Sequence, residues 1–271
     1  MVTKSTPKAT KATSAFDATK PVSTALAKAK VNLPANIQEQ FADEVAALQK
    51  RIAAPSGDRI TVTQGRTLKL PNGLEVDEIE CVIVDFVAAN FYYASDFDRQ
   101  NIVPPDCFAI GMEPAGLMAS SNSPDKQCEA CAGCWANQFK SAKNGRGKAC
   151  SNTRLLAVLP LDADEDSQIM ILKVSSTGLK SFDGHVANVA SKYGVPIRGV
   201  TTRVTMSDEE YASLRFAVID KLSPKDPLLA IAQSLKESAL VRLQTEPDVT
   251  AATAAPAPAR RAPAKKAPAR R

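Results

Sequence analysis

Five of the chain's six cysteines fall between residues 107 and 150, and no other feature narrows the possible folds as much. Cys107 stands alone, Cys128, Cys131 and Cys134 form two overlapping Cys-x2-Cys steps, and Cys150 closes the window. A Cys-x2-Cys turn can aim two thiolates at one ion, and two more from flanking segments complete a tetrahedron. The window therefore predicts a structural metal site. Cys131 and Cys134 supply one turn and Cys107 and Cys150 the flanks, with Cys128 spare or an alternate ligand; a competing choice takes Cys128 and Cys131 as the turn. Zinc is the expected ion, and an iron–sulfur cluster would use the same thiolates. A catalytic zinc would call for histidine or carboxylate beside an open position. The single histidine, His185, falls in a helical pattern instead and is expected on the helix surface or in the core.

A chain of 271 residues has room for one large domain or two small ones, and 44% hydrophobic content is enough for a buried core. There is no apolar run long enough to span a bilayer and no apolar segment before a cleavage site, so a cytoplasmic, reducing compartment is expected. Charge is unevenly placed. Residues 1–30 carry six lysines and one aspartate, and residues 260–271 carry six cations and no acid. Removing these arms from the overall +5 leaves the middle at −6. Basic arms on an acidic body suit a polyanion, with nucleic acid first among them; the plainer role is a solubilising tail.

Along the chain, residues 1–33 are Lys/Thr/Ser/Ala/Pro-rich and read as a disordered basic arm. Ile37, Phe41, Val45, Leu48 and Ile52 recur at helical spacing, so 35–53, within a segment spanning 34–57, reads as an amphipathic helix. It would pack on the domain or pair with another chain. Residues 59–63 and 67–70 read as strands joined to the next by a Pro71-Asn72-Gly73 hairpin turn. Residues 74–93 read as one long strand buried on both faces, with Cys81 as a core residue. After the window come strands at 155–159 and 169–174 around a solvated acidic tip, then a helix over 179–193 stopped by Gly194. Strands at 195–206 and 214–219 follow, then a helix opened by Asp226 and Pro227 and ending near Leu243. Residues 247–271 form a disordered Ala/Pro/Arg tail. The expected architecture is mainly β with α: an antiparallel OB-like barrel over 58–246, with a four-cysteine zinc module inserted at 104–152.

Within the window, Lys140, Lys143, Arg146, Lys148 and Arg154 are the only charged residues between Asn137 and Arg154. Trp135 and Phe139 stand beside them, and aromatics among cations are what stacking on exposed bases requires. The alternative is that both floor the metal module, the first expectation for Phe139. Tyr92 and Tyr93, grouped with Phe91, Phe97 and Arg99, offer a second stacking platform or a barrel core. Gly145 and Gly147 allow tight turns, but no Gly-Lys-Ser/Thr ending makes this a nucleotide loop. No catalytic constellation emerges, so no enzymatic activity is expected.

The segments Pro104-Pro105-Asp106-Cys107, Cys131-Ala-Gly-Cys134-Trp135-Ala-Asn137-Gln138-Phe139-Lys140-Ser141 and Gly145-Arg146-Gly147-Lys148-Ala149-Cys150 resemble a family of tailed-phage proteins. The likeness runs from about Ile60 to Leu222 and includes the 179–194 helix and Tyr211-x3-Arg215-Phe216. In plan it is similar to the zinc-containing single-stranded DNA-binding proteins of T-even phages. The resemblance implies an OB-fold with Cys107, Cys131, Cys134 and Cys150 as zinc ligands. It also implies a role in DNA replication or recombination, with single-stranded DNA and replication or recombination proteins as partners. Lys140 stands where the family has glycine, Cys128 is additional, and the tail is basic where such proteins usually end acidic. Two other functions remain open at this point: an architectural or regulatory protein that binds duplex DNA through its tails, and a metal-dependent DNA-processing enzyme.

Overall fold

The computed structural model describes residues 58–96, 98, 103–164, 167–207 and 213–249. The expected basic arm 1–33 and the 35–53 helix lie outside these residues. So do most of the 247–271 tail, together with Phe97, Arg99 and Tyr211. The fold is mainly β: among the described residues nine strands, β1 to β9, begin in chain order at Arg59, Leu68, Glu75, Glu78, Cys107, Cys150, Met170, Val200 and Leu214, and they lie in the order β3-β2-β1-β7-β6-β4-β8-β9 with β5 paired to β4.

The first strands follow from local chemistry. β1 (Arg59–Val62), β2 (Leu68–Lys69) and β3 (Glu75–Val76) form an antiparallel meander. Gly73 takes the left-handed φ of +84° that the Asn-Gly turn needs, and its N–H donates to the carbonyl of Leu70. β4 (Glu78–Tyr92) is the predicted long strand, shortened at its start because residues 75–76 pair back on β2. Val82, Ile83, Val84 and Val87 are wholly buried, as the continuous apolar run implied. Cys81 is buried among them, and burial pushes its thiol up to about 12.

β6 (Cys150–Pro160) and β7 (Met170–Val174) form an antiparallel pair across the acidic tip. β8 (Val200–Met206) and β9 (Leu214–Lys221) form another, with an irregularity at Thr201/Thr202. Two expectations change here. Residues 197–199 form a 3-10 turn, not the start of the strand, and the sheet is mixed because β1 runs parallel to β7. β1 and β7 are over 100 residues apart in sequence, so no hairpin fixes their direction.

The described chain divides into two compact units. One comprises residues 58–86 and 154–243, the other residues 87–153 and 244–249, so β4 and β6 each contribute to both. In the first unit, α1 (Leu179–Asn188) continues as a π-helical turn over Val189–Tyr193 and stops at Gly194, whose φ is +63°. α1 buries Phe182 completely; its ring meets Phe86 edge-on at 5.0 Å and Phe216 at 5.2 Å. Burying one such ring contributes about 1.5–3 kcal/mol. His185 is a core residue: its Nε2 lies 3.1 Å from the Thr202 hydroxyl, and burial lowers its pKa. The expected last helix is two, α2 (Pro227–Ser234) and α3 (Lys236–Leu243). Asp226 caps α2 by accepting from the Leu228 N–H at 2.9 Å. The break falls at Leu235, just after Ser234 turns its hydroxyl onto the Ile231 carbonyl. No helix among the described residues is long and apolar enough to cross a membrane.

Candidate metal centre and its basic loop

The second unit holds the cysteine window, and only part of that window is irregular. Cys107 opens β5 (Cys107–Gly111), which pairs antiparallel with the end of β4 and sets Cys107 opposite Tyr92. Cys150 opens β6. Both flanking cysteines are thus held by strands at the two ends of the segment expected as an insertion, 104–152. Cys131 begins a 3-10 turn and Cys134 caps the next one, Trp135–Asn137. The Cys131 N–H donates to the Leu117 carbonyl, and the Cys134 N–H to that of Cys131.

All six cysteines are free thiols. Cys107, Cys128, Cys131, Cys134 and Cys150 line one cavity of about 10 Å3, which matches a single water-sized particle. Cys107, Cys131, Cys134 and Cys150 are buried, and Cys128 is half-buried. Burial, then the neighbouring sulfurs of Cys131, Cys107 and Cys134, push the Cys150 thiol up to about 12, with Lys148 pulling the other way. Cys131 is raised by burial and by Cys107 and Cys128, and Cys134 is raised by burial and a hydrogen bond with Cys128. Several thiolates cannot share so small a space unless a cation offsets their repulsion.

Three fixed dipoles already favour sulfur anions here. The backbone N–H groups of Ala136 and Asn137 are directed at Cys134, and the Asn90 side chain donates to Cys131. Asn90 is buried, and its Oδ1 accepts from Asn152 Nδ2 at 2.7 Å, which turns its amide nitrogen towards the sulfur. The donor chemistry therefore fits a thiophilic cation such as zinc. The sulfurs converge without closing a chelate: among the described residues no group of three or more His, Cys, Asp or Glu side chains is set to hold a metal ion.

A loop built on the same hydrogen bonds follows. Asn137 Nδ2 donates to the Cys131 carbonyl at 2.8 Å, and its Oδ1 accepts from Lys148 Nζ at 3.0 Å. Ser141 Oγ donates to the carbonyls of Ala136 and Gln138 and accepts from the Ala149 N–H. Lys140 N–H donates to the Gly147 carbonyl at 2.7 Å, closing the loop at its base. Three of its residues, Lys140, Gly145 and Gly147, have φ near +70°. The two glycines adopt this freely, whereas Lys140 does so against its Cβ.

Phe139 is 78% exposed, so it does not floor the metal module as first expected; Lys148 Nζ sits 5.4 Å from its ring centre. Trp135 divides its roles, 49% exposed and edge-on to Tyr92 at 5.7 Å. Lys140, Lys143 and Arg146 are exposed, and Lys143 also pairs with Asp96 at 2.9 Å. Arg154 behaves differently. Its side chain is 12% exposed and its Nη2 lies 3.3 Å from Asp183 Oδ2, which sets it apart from the exposed cations. Tyr92 joins the cavity wall, its pKa raised by burial and by Asp106 and Asp125, while Tyr93 keeps 40% of its surface exposed.

No family model, curated protein or solved structure matches this chain. The site is therefore read from its own chemistry. Sequence reasoning passed over Asn90, Asn152 and the roles of Asn137 and Ser141. An asparagine within the apolar run Phe86–Tyr92 was the available signal for Asn90.

Proposed function

We propose that this protein is a non-enzymatic single-stranded DNA-binding protein of the zinc-containing phage replication and recombination type. In this reading the mixed sheet is an OB-like scaffold, and Cys107, Cys131, Cys134 and Cys150 hold one zinc, with Cys128 as the alternate. The exposure of Phe139 beside Lys140, Lys143, Arg146 and Lys148 carries the reading. An exposed ring set among cations suits a nucleotide, whose base has the flat face to stack on the ring and whose phosphate pairs with the cations. When bound, zinc would compensate the clustered thiolates and lock the Cys131–Cys134 turn from which the loop projects. The chain's own residues do the rest: Asn137 ties loop to turn, Ser141 braces it, and Lys148 holds the Phe139 ring. Trp135 contributes its exposed edge, and the basic arms add affinity independent of sequence.

Trp135 is the only tryptophan, so its fluorescence reports on the site. Titration with oligothymidylate at several salt concentrations should quench it, with affinity falling as salt rises. Affinity indifferent to salt, or a preference for duplex, contradicts the proposal.

A further inference from the structure

The cysteine cavity holds one sulfur more than a tetrahedral ion can take. Cys107, Cys128, Cys131, Cys134 and Cys150 all line it, and four thiolates fill the coordination sphere of zinc. The surplus sulfur is the one that solvent reaches. Cys128 is half-buried, whereas the other four are buried, Cys134 being only 7% exposed. Cys128 also stands against Cys134: the two side chains share a hydrogen bond, so sulfur already faces sulfur. Cys131 is engaged elsewhere. Its sulfur accepts from the Asn90 side chain, and its N–H donates to the Leu117 carbonyl at 2.9 Å. Cys107 and Cys150 are fixed in β5 and β6. Cys128 lies in an irregular stretch before the isolated bridge of Ala130 to Met118, where a small backbone shift disrupts no strand ladder.

We infer that Cys128 and Cys134 form a peroxide-driven disulfide switch at the foot of the basic loop. Only its last consequence, the release of DNA, rests on the function proposed above. Cys128, as thiolate, attacks one oxygen of hydrogen peroxide; the O–O bond breaks, the sulfur becomes a sulfenic acid, and the departing hydroxide takes up the thiol's proton as water. The Cys134 sulfur then attacks the sulfenic sulfur, whose hydroxyl leaves with the second thiol's proton as another water. Two thiols and one peroxide thus give one disulfide and two waters, the two electrons passing from sulfur to the peroxide oxygens. The sulfurs must close to about 2.05 Å, and the segment from Cys128 to Cys134 is short enough that joining its ends costs little entropy. Drawing Cys134 towards Cys128 moves the foot of the loop. The Cys134 carbonyl accepts from the Asn137 N–H at 3.1 Å and from the Gln138 side chain at 3.4 Å. Asn137 in turn holds the Cys131 carbonyl and Lys148. Where zinc is bound, the same bond withdraws one of its four sulfurs, so the ion and the turn loosen together.

Hydrogen peroxide added to the reduced full chain, with its zinc content determined beforehand, tests the inference through three readouts. Peptide mass spectrometry after alkylation should show Cys128 joined to Cys134 within one molecule, with Cys81 still a thiol. Hydrogen exchange over residues 135–149 should quicken by about tenfold or more and recover on adding reductant and zinc. Affinity for a labelled oligothymidylate should fall by about tenfold or more, since at least one stacked base is lost with the loop. Cys128→Ser, compared with its own untreated state, should show neither the faster exchange nor the weaker binding; if that variant does not fold, the disulfide map of the parent decides. The inference is overturned by the absence of a disulfide, by one joining any other pair or two molecules, or by a Cys128–Cys134 bond that leaves exchange over 135–149 unchanged. A parent that forms the bond and loosens its loop, yet holds no zinc or binds no oligothymidylate, upholds the switch and overturns the proposed function instead.

Discussion

Phe139 and its cations set the residue-scale expectations. Phe139→Ala should weaken oligonucleotide binding by about 1–3 kcal/mol, the worth of one stacked base, and leave the salt dependence unchanged. Replacing Lys143 or Arg146 with alanine should do the opposite, lowering the slope of log affinity against log salt by about 0.7 for each phosphate no longer neutralised. Arg154→Ala should leave that slope alone, because its guanidinium is taken up by Asp183. Lys140→Gly separates backbone from charge: glycine suits the φ of +70°, so the fold should be retained while the strand has one cation fewer to bind. Asn137→Ala should cost about 1–3 kcal/mol in chemical denaturation, since it strips the Cys131 carbonyl and Lys148 of a shared partner. Equal stability of parent and Asn137→Ala would mean that the loop and the Cys131–Cys134 turn are not joined through this side chain.

Among the elements, α1 carries a pH dependence whose sign follows from burial. The unfolded His185 titrates near the ordinary value of about 6.5, and the folded ring below it. Above that value the ring is neutral in both states and has no effect. Below it the unfolded chain takes up a proton the folded one resists, so stability falls as pH drops towards the folded pKa. His185→Gln should flatten this part of a stability–pH profile; an unchanged slope would place the effect elsewhere. Elements with local signatures were legible in advance: the Asn72–Gly73 turn, the apolar run of β4, the Gly194 stop and the Asp226–Pro227 start each rest on neighbouring residues. What escaped depends on distant partners. β5 is five residues long and was hidden inside the cysteine window. The parallel β1–β7 pair, the Asn90–Asn152 bond and the Arg154–Asp183 pair join residues that no periodicity relates. The exposure of Phe139 also lay beyond sequence, since an aromatic beside a metal turn suits its floor and its rim alike.

At the scale of the whole molecule, three sources of positive charge were read from the sequence: the loop and the two arms. Because counterion release is additive over the phosphates neutralised, removing residues 250–271 should reduce the salt slope while sparing Trp135 quenching, which reports on the loop. The C-terminal segment leaves the described chain near the cysteine unit, where Ser120 Oγ and Asn122 Nδ2 each donate to the Glu246 carboxylate at 2.6 Å. Cys81 lies outside the window and is too deeply buried to ionise, so thiol titration of the native protein should leave it unmodified. The central claim is that sulfur-bound zinc presents a cationic, aromatic loop to single-stranded DNA. The most direct measurement is the oligothymidylate affinity of Cys134→Ser/Cys150→Ser beside the parent, in samples whose zinc content has been determined. The account predicts one zinc per chain in the parent, none in the variant, and a large drop in affinity with it; equal affinity in a zinc-free variant would contradict it.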